Sequence, residues 1–141
     1  LHLYAESSAV AAWLFREPRG PEVERDIAAA SHVVTSDLTL VEFDRALFRA
    51  IASGRVDPAG AAAIRSRFDS SAASWDVLNL LPSIVERARQ PFPYEPIRSL
   101  DALHVSWALH VRAAIPDLAI LSLDDRIRRV AASVGLASLP N

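Results

Sequence analysis

Four acidic residues stand where chemistry can be done: Glu6, Glu42, Asp101 and Asp124. Glu6 closes the apolar run Leu1-His2-Leu3-Tyr4-Ala5, and Asp124, followed by Asp125, closes the run Leu118 to Leu123. Glu42 falls in the second turn of a helical stretch, on a stripe with Leu38 and Arg45, and Asp101 falls in the first turn of another. Several carboxylates in one cleft do not all stay ionised without a cation. A hard divalent ion with oxygen ligands, Mg²⁺ or Mn²⁺, is the natural partner. Such an ion polarises a phosphoryl oxygen, activates water and steadies a leaving group, which is the chemistry of phosphodiester hydrolysis. No His pair, Gly-rich phosphate loop or Ser nucleophile motif competes with these acids. Each acid also has a plainer reading. Asp101 complements the positive end of its helix, an effect of a few tenths to about 1 kcal/mol. Asp124 reads as an N-cap, Glu6 as a helix-start acid and Glu42 as a solvated position. Their shared placement at the ends of strands and the starts of helices is what favours a site.

The elements that must position them follow from periodicity and punctuation. Leu1 to Ala5 reads as a strand, and Ser7 or Ser8 caps a helix that stops before Pro18. A short helix covers Glu22 to Ala30, and His32 to Ser36 is a second strand. Ser36 or Asp37 caps a helix carrying Leu40, Phe43, Leu47 and Ile51, which Gly54 ends. Asp57-Pro58 starts a helix to about Ser71; Trp75 to Leu80 is a third strand, and Pro82 opens a helix to about Arg89. Gln90 to Pro96 is a proline-rich loop. The helix from Arg98 onwards is apolar nearly all round, with only Asp101 and Arg112 charged between Leu100 and Ile115, so it is expected to be buried. Leu118 to Leu123 is a fourth strand, a helix runs from Asp124-Asp125 to Val134, and Leu136 to Leu139 adds a last short strand. Alternating apolar strands and helices predict an α/β fold with a parallel sheet covered by helices. In such sheets functional groups collect outside the carboxyl ends of the strands, where these acids fall.

Composition sets outer limits. With 141 residues and 51% hydrophobic content the chain reads as one domain, residues 1–141. It has no apolar run long enough for a membrane span and no visible signal peptide. The absence of cysteine excludes disulfides and thiolate sites and suits a reducing, cytoplasmic setting. A net charge of −2 gives no global pull towards nucleic acid, although all fifteen basic residues are Arg, the better fork for phosphate. The absence of Lys also argues against a receiver-like domain, which needs one late in the chain.

The order of motifs resembles the PIN-domain family, most nearly the VapC-type toxins of toxin–antitoxin pairs. It is carried by Leu3-Tyr4-Ala5-Glu6-Ser7-Ser8-Ala9, then Thr35-Ser36 to Leu40-Val41-Glu42-Phe43, then Leu100-Asp101-Ala102-Leu103-His104, then Leu121-Ser122-Leu123-Asp124. The resemblance spans nearly the whole length, and Leu-Asp-Ala-Leu-His is its most specific piece. It implies a three-layer α/β/α fold with a central, mostly parallel sheet of four to five strands. It also implies a metal-dependent ribonuclease, usually a homodimer, acting on RNA and neutralised by a small VapB-type antitoxin. By position, Glu6, Glu42, Asp101 and Asp124 would be its four acids, with Glu6, Asp101 and Asp124 on the metal and Glu42 completing the site or acting through water. Ser7 and Ser122 would be polar neighbours that orient a ligand, and Asp125 the helix cap or an outer partner. His104, one turn deeper in the buried helix, reads as structural. Arg45, Arg49 and Arg98 are candidates for gripping RNA phosphates. The surplus apolar residues Trp13, Phe15 and Phe48 mark helices where partner contacts are expected. One departure stands out. The family's first acid is most often Asp, and here it is Glu6, one methylene longer. That keeps a second reading open, a PIN-like domain that binds RNA or a protein partner without cutting.

Overall fold

The five strands β1 (His2–Ala5), β2 (His32–Ser36), β3 (Asp76–Leu78), β4 (Leu118–Leu121) and β5 (Ala137–Leu139) form one sheet in the order β3-β2-β1-β4-β5. Every pairing is parallel. The computed structural model describes all 141 residues. Parallel neighbours need crossovers, and helices supply them: α1 (Ser7–Leu14), α2 (Gly20–Ala29), α3 (Asp37–Ala52), α4 (Pro58–Ala72), α5 (Pro82–Ala88), α6 (Ser99–Arg112) and α7 (Asp125–Ser133).

Side chains alternate along each strand, and the alternation sorts the core into two layers. Leu3, Ala5, Val33, Ala119 and Leu121 point to one face and pack with Val10, Phe43, Leu47 and Phe68 of α1, α3 and α4. Tyr4, Val34, Leu118 and Ile120 point to the other and pack with Ile84, Val105, Trp107 and Ile127 of α5, α6 and α7. A sheet buried on both faces explains the near-continuous apolar runs of β1 and β4. The α/β/α expectation therefore holds, with five strands and all of them parallel.

Boundaries differ in instructive places. β3 is only three residues long because it is an edge strand with one neighbour; Trp75, expected within it, turns into the core beside Phe68 and Trp13. Trp13 is therefore core rather than partner surface, whereas Phe48 is half exposed. Gly54 and Gly135 follow α3 and α7 with φ of +72° and +69°, the left-handed conformation that ends a helix most cheaply at glycine. No helix is long and apolar enough to cross a membrane.

Two features of the sheet fix the site. β1 and β4 are in register, with Tyr4 beside Ile120 and Ala5 beside Leu121, so the residues that follow them emerge side by side. The connection out of β1 leads to β2 on one side, while β4 lies on the other. The carboxyl ends of β1 and β4 thus border a topological switch point, where helices diverge and leave a crevice.

Candidate active site

The crevice encloses about 200 Å³ and is lined by Glu6, Ser7, Glu42, Arg49, Arg98, Asp101 and Asp124, among others. All four predicted acids are here, delivered by four different elements. A hollow of about 300 Å³ lies elsewhere, between Ile27, His32 and Trp75, but no cluster of acids lines it.

Glu6 caps α1 itself, a role expected of Ser7 or Ser8. Its backbone is extended and its side chain folds back to accept the Ser8 backbone N–H at 3.0 Å. Three hydroxyls complete the set. Ser7 Oγ donates to Glu6 Oε1 at 2.7 Å, while Ser8 Oγ (2.5 Å) and Ser122 Oγ (2.8 Å) donate to Oε2. Ser8 was assigned no site role from sequence. Its hydroxyl also accepts the backbone N–H groups of Leu123 (2.9 Å) and Asp124 (3.1 Å). These two N–H groups turn to Ser8 instead of continuing the sheet, which is why β4 stops at Leu121, short of the expected Leu123. Only Ser8's place two residues after the acid signalled this knot.

Glu42 approaches from α3. Its Oε1 accepts from Ser7 Oγ at 3.1 Å and from His104 Nε2 at 2.5 Å, leaving Oε2 without a protein donor. Burial alone raises the Glu42 carboxyl. The His104 and Ser7 donors and the charge of Arg49 outweigh it and hold the carboxyl below the usual range. His104 is buried, as expected of a structural residue, but its ring is not inert. Nε2–H faces Glu42, and Nδ1 lies 2.9 Å from the Tyr4 hydroxyl, which donates to Ser36 Oγ at 2.9 Å. Ser36 in turn caps α3, accepting from Thr39 N. A polar chain therefore runs from the cleft through His104 and Tyr4 to the start of the helix that carries Glu42. Tyr4→Phe would leave His104 Nδ1 and Ser36 Oγ short of a partner in the core. Its expected cost is about 1–3 kcal/mol of stability, read as a lower urea midpoint at unchanged slope.

Asp101 is buried in the first turn of α6, and both its oxygens are held by Arg98: Nε to Oδ2 at 2.9 Å and Nη2 to Oδ1 at 3.2 Å. Asp124 is the N-cap of α7, accepting Arg126 N at 2.8 Å, and it also pairs with the Arg126 side chain. Burial pushes the Asp124 carboxyl up, and the Arg126 bonds more than reverse this, leaving it below the usual range. The cap is thus Asp124 and not Asp125. Asp125 is exposed and lies outside the cleft, so it is no partner of the site. Of the three arginines read as RNA contacts, Arg49 and Arg98 line the cleft. Arg45 does not, and its guanidinium sits 5.8 Å from the centre of the Phe48 ring.

The donor set suits a hard divalent cation. One ligand atom each from Glu6, Glu42 and His104 lie within 4.8 Å of one another, and Asp101 and Asp124 line the same crevice outside that group. His104 is better placed to orient Glu42 than to ligate, because its Nε2 already serves that carboxylate.

A PIN-domain family model matches residues 3–133. The ribonuclease VapC35 of Mycobacterium tuberculosis is 28% identical over 137 residues, covering 97% of this chain and 85% of that protein. Among solved structures, the chain is similar to Mycobacterium tuberculosis VapC20, a sarcin–ricin loop cleaving toxin. That match has a TM-score of 0.65 and 16% identity and covers 99% of both chains. It is also similar to PAE2754 of Pyrobaculum aerophilum, with a TM-score of 0.60 and 20% identity over 98% of this chain and 83% of that one.

Proposed function

Because the chain belongs to the PIN-domain family, we propose that it is an Mg²⁺- or Mn²⁺-dependent endoribonuclease, the toxin of a VapBC-type pair. The observation that carries this reading is the convergence of Glu6, Glu42, Asp101 and Asp124 on one small crevice at the switch point of the sheet. The likeness to the ribonuclease VapC35 supports RNA as the substrate class.

Asp101 and Asp124 would hold the ion, with Glu42 completing the site through water. When bound, the ion supplies Lewis-acid stabilisation of the charge that develops on the phosphoryl oxygens. The chain's own groups do the rest. Glu42 is kept ionised by the His104 and Ser7 donors, and its Oε2 is free of protein donors. It would take a proton from the attacking water as the water oxygen bonds to phosphorus, and pass that proton to the sugar oxygen as the P–O bond to that oxygen breaks. Glu6 adds negative charge beneath the site and fixes Ser7, whose hydroxyl touches both Glu6 and Glu42. It reaches an ion directly only by giving up one of its four donors. Ser7 is the readiest of these, because Glu42 offers it a second acceptor. Arg49 at the cleft wall is placed to grip a phosphate.

Partners follow from the same reading: a VapB-type antitoxin, and a second copy of the chain as a homodimer in the cytoplasm. The outer side of α3, where Val41, Phe48 and Ile51 are exposed, is an apolar face suited to such a contact.

The purified protein is expected to cleave RNA in Mn²⁺ or Mg²⁺, to lose that activity in EDTA and to recover it on adding the ion back. Sequencing the RNA ends produced on induction in cells identifies the target. The saturated carboxylate of Glu6 favours a second reading, a domain that binds without cutting. Calorimetry separates the two, because no heat of Mn²⁺ binding at millimolar ion would leave only the second.

A further inference from the structure

Two arginines fork an acid of the cleft through both oxygens, Arg126 on Asp124 and Arg98 on Asp101, and only Arg98 reaches both acids. It stands just ahead of α6 with an extended backbone, and its side chain is 60% exposed. Its guanidinium nevertheless turns inward. Nε and Nη2 take the two oxygens of Asp101, and Nη2 lies 3.7 Å from Asp124 Oδ2. Asp101 has no other side-chain or backbone donor, so the fork supplies every hydrogen bond to a carboxylate that is buried at the cleft wall. The fork thus sits between two of the acids that the proposed reaction assigns to a cation.

We infer that Arg98 is a tethered competitor of the divalent ion. While no ion is bound its guanidinium neutralises Asp101 and, beside Arg126, lies against Asp124, and it has to leave Asp101 before an ion can take both oxygens. This rests on reading the cleft as a metal site, and adds to it a gate made of one side chain. The exposed stem lets Arg98 leave without disturbing packing, and the three-residue spacing returns it to Asp101 when the ion departs. Apparent metal affinity is then the intrinsic affinity multiplied by the fraction of molecules with the fork open. A fork closed most of the time weakens binding by roughly three- to tenfold.

The test is Mn²⁺ binding, followed by the electron paramagnetic resonance of the free ion, with no RNA present. Arg98→Gln is expected to bind Mn²⁺ about three- to tenfold more tightly than the parent. Arg49→Gln is the control: it removes the same charge from the same cleft but has no bond to Asp101 or Asp124, and its affinity should change by less than about twofold. In the parent protein, the Arg98 Nε–H resonance should move towards that of a free arginine as Mg²⁺ is added. Equal or weaker binding by Arg98→Gln, or equal tightening in both arginine variants, overturns competition while leaving the cleft a metal site. No binding by parent or variant at millimolar Mn²⁺ overturns the metal reading and this inference with it.

Discussion

Asp101→Asn is expected to lower Mn²⁺-dependent RNA cleavage by at least about 100-fold, the loss of roughly 3 kcal/mol of transition-state stabilisation. The fold should survive. Asn keeps the shape of Asp101, retains one acceptor for Arg98 and gives up a favourable interaction with the start of α6 that is worth about 1 kcal/mol at most. What it loses is charge. A hard cation held by carboxylates is bound chiefly by their charge, and a neutral amide oxygen in the buried first turn of α6 does not replace it. Cleavage of a fluorescent RNA at saturating Mn²⁺, run beside a urea titration, separates the two effects. Activity within tenfold of the parent in a folded variant would remove Asp101 from the mechanism.

That Asp101 could be found from sequence, while Arg98's hold on it could not, shows where sequence reasoning stops. Helices and strands are local events, and their signals are local. Ser36 caps α3 and Asp57 caps α4 as their residue types suggest, and Pro58 and Pro82 sit in the first turns of α4 and α5. The acids were legible for a related reason. In a parallel sheet every strand exits at the same edge, so acids just beyond strands, or on the first turns of the following helices, are collected by topology alone.

Side-chain partnerships have no such signature. His104 reads as structural because, one turn deeper in a buried helix, it is expected to point away from solvent. Its contact with Glu42 spans 62 residues and depends on α3 and α6 meeting across the edge of the sheet. Ser8 is equally opaque, because it resembles any serine near a helix start. Its role appears only once β1 and β4 are neighbours and the Leu123 and Asp124 N–H groups need an acceptor. Sequence offers both Asp124 and Asp125 as the cap of α7, and the structure chooses Asp124 for a smaller reason. Two consecutive acids offer the same chemistry, and the end of β4 decides which of them faces the helix.

Glu6→Gln is expected to destabilise the protein by about 2–3 kcal/mol. Removing one charge from a cleft of four carboxylates relieves repulsion and would by itself stabilise the fold. The donors decide the sign. All four groups that touch the Glu6 carboxylate donate to it, two on each oxygen, and the residue is 3% exposed, so water cannot substitute. An amide offers one acceptor and two N–H donors. If its nitrogen takes the place of Oε2, it meets Ser8 Oγ and Ser122 Oγ. Ser8 Oγ already accepts from Leu123 N and Asp124 N, so its single proton is left facing an N–H. If the nitrogen takes the place of Oε1, it meets the Ser8 backbone N–H, which cannot rotate away. Either orientation sets a donor against a donor inside the fold. A urea midpoint equal to or above that of the parent would mean that relief of charge repulsion wins and that the hydroxyls re-pair freely. The longer acid is thus explained without reference to a metal: its extra methylene lets one carboxylate cap α1 and bind Ser122 beyond the end of β4, tying the two strand ends that frame the cleft.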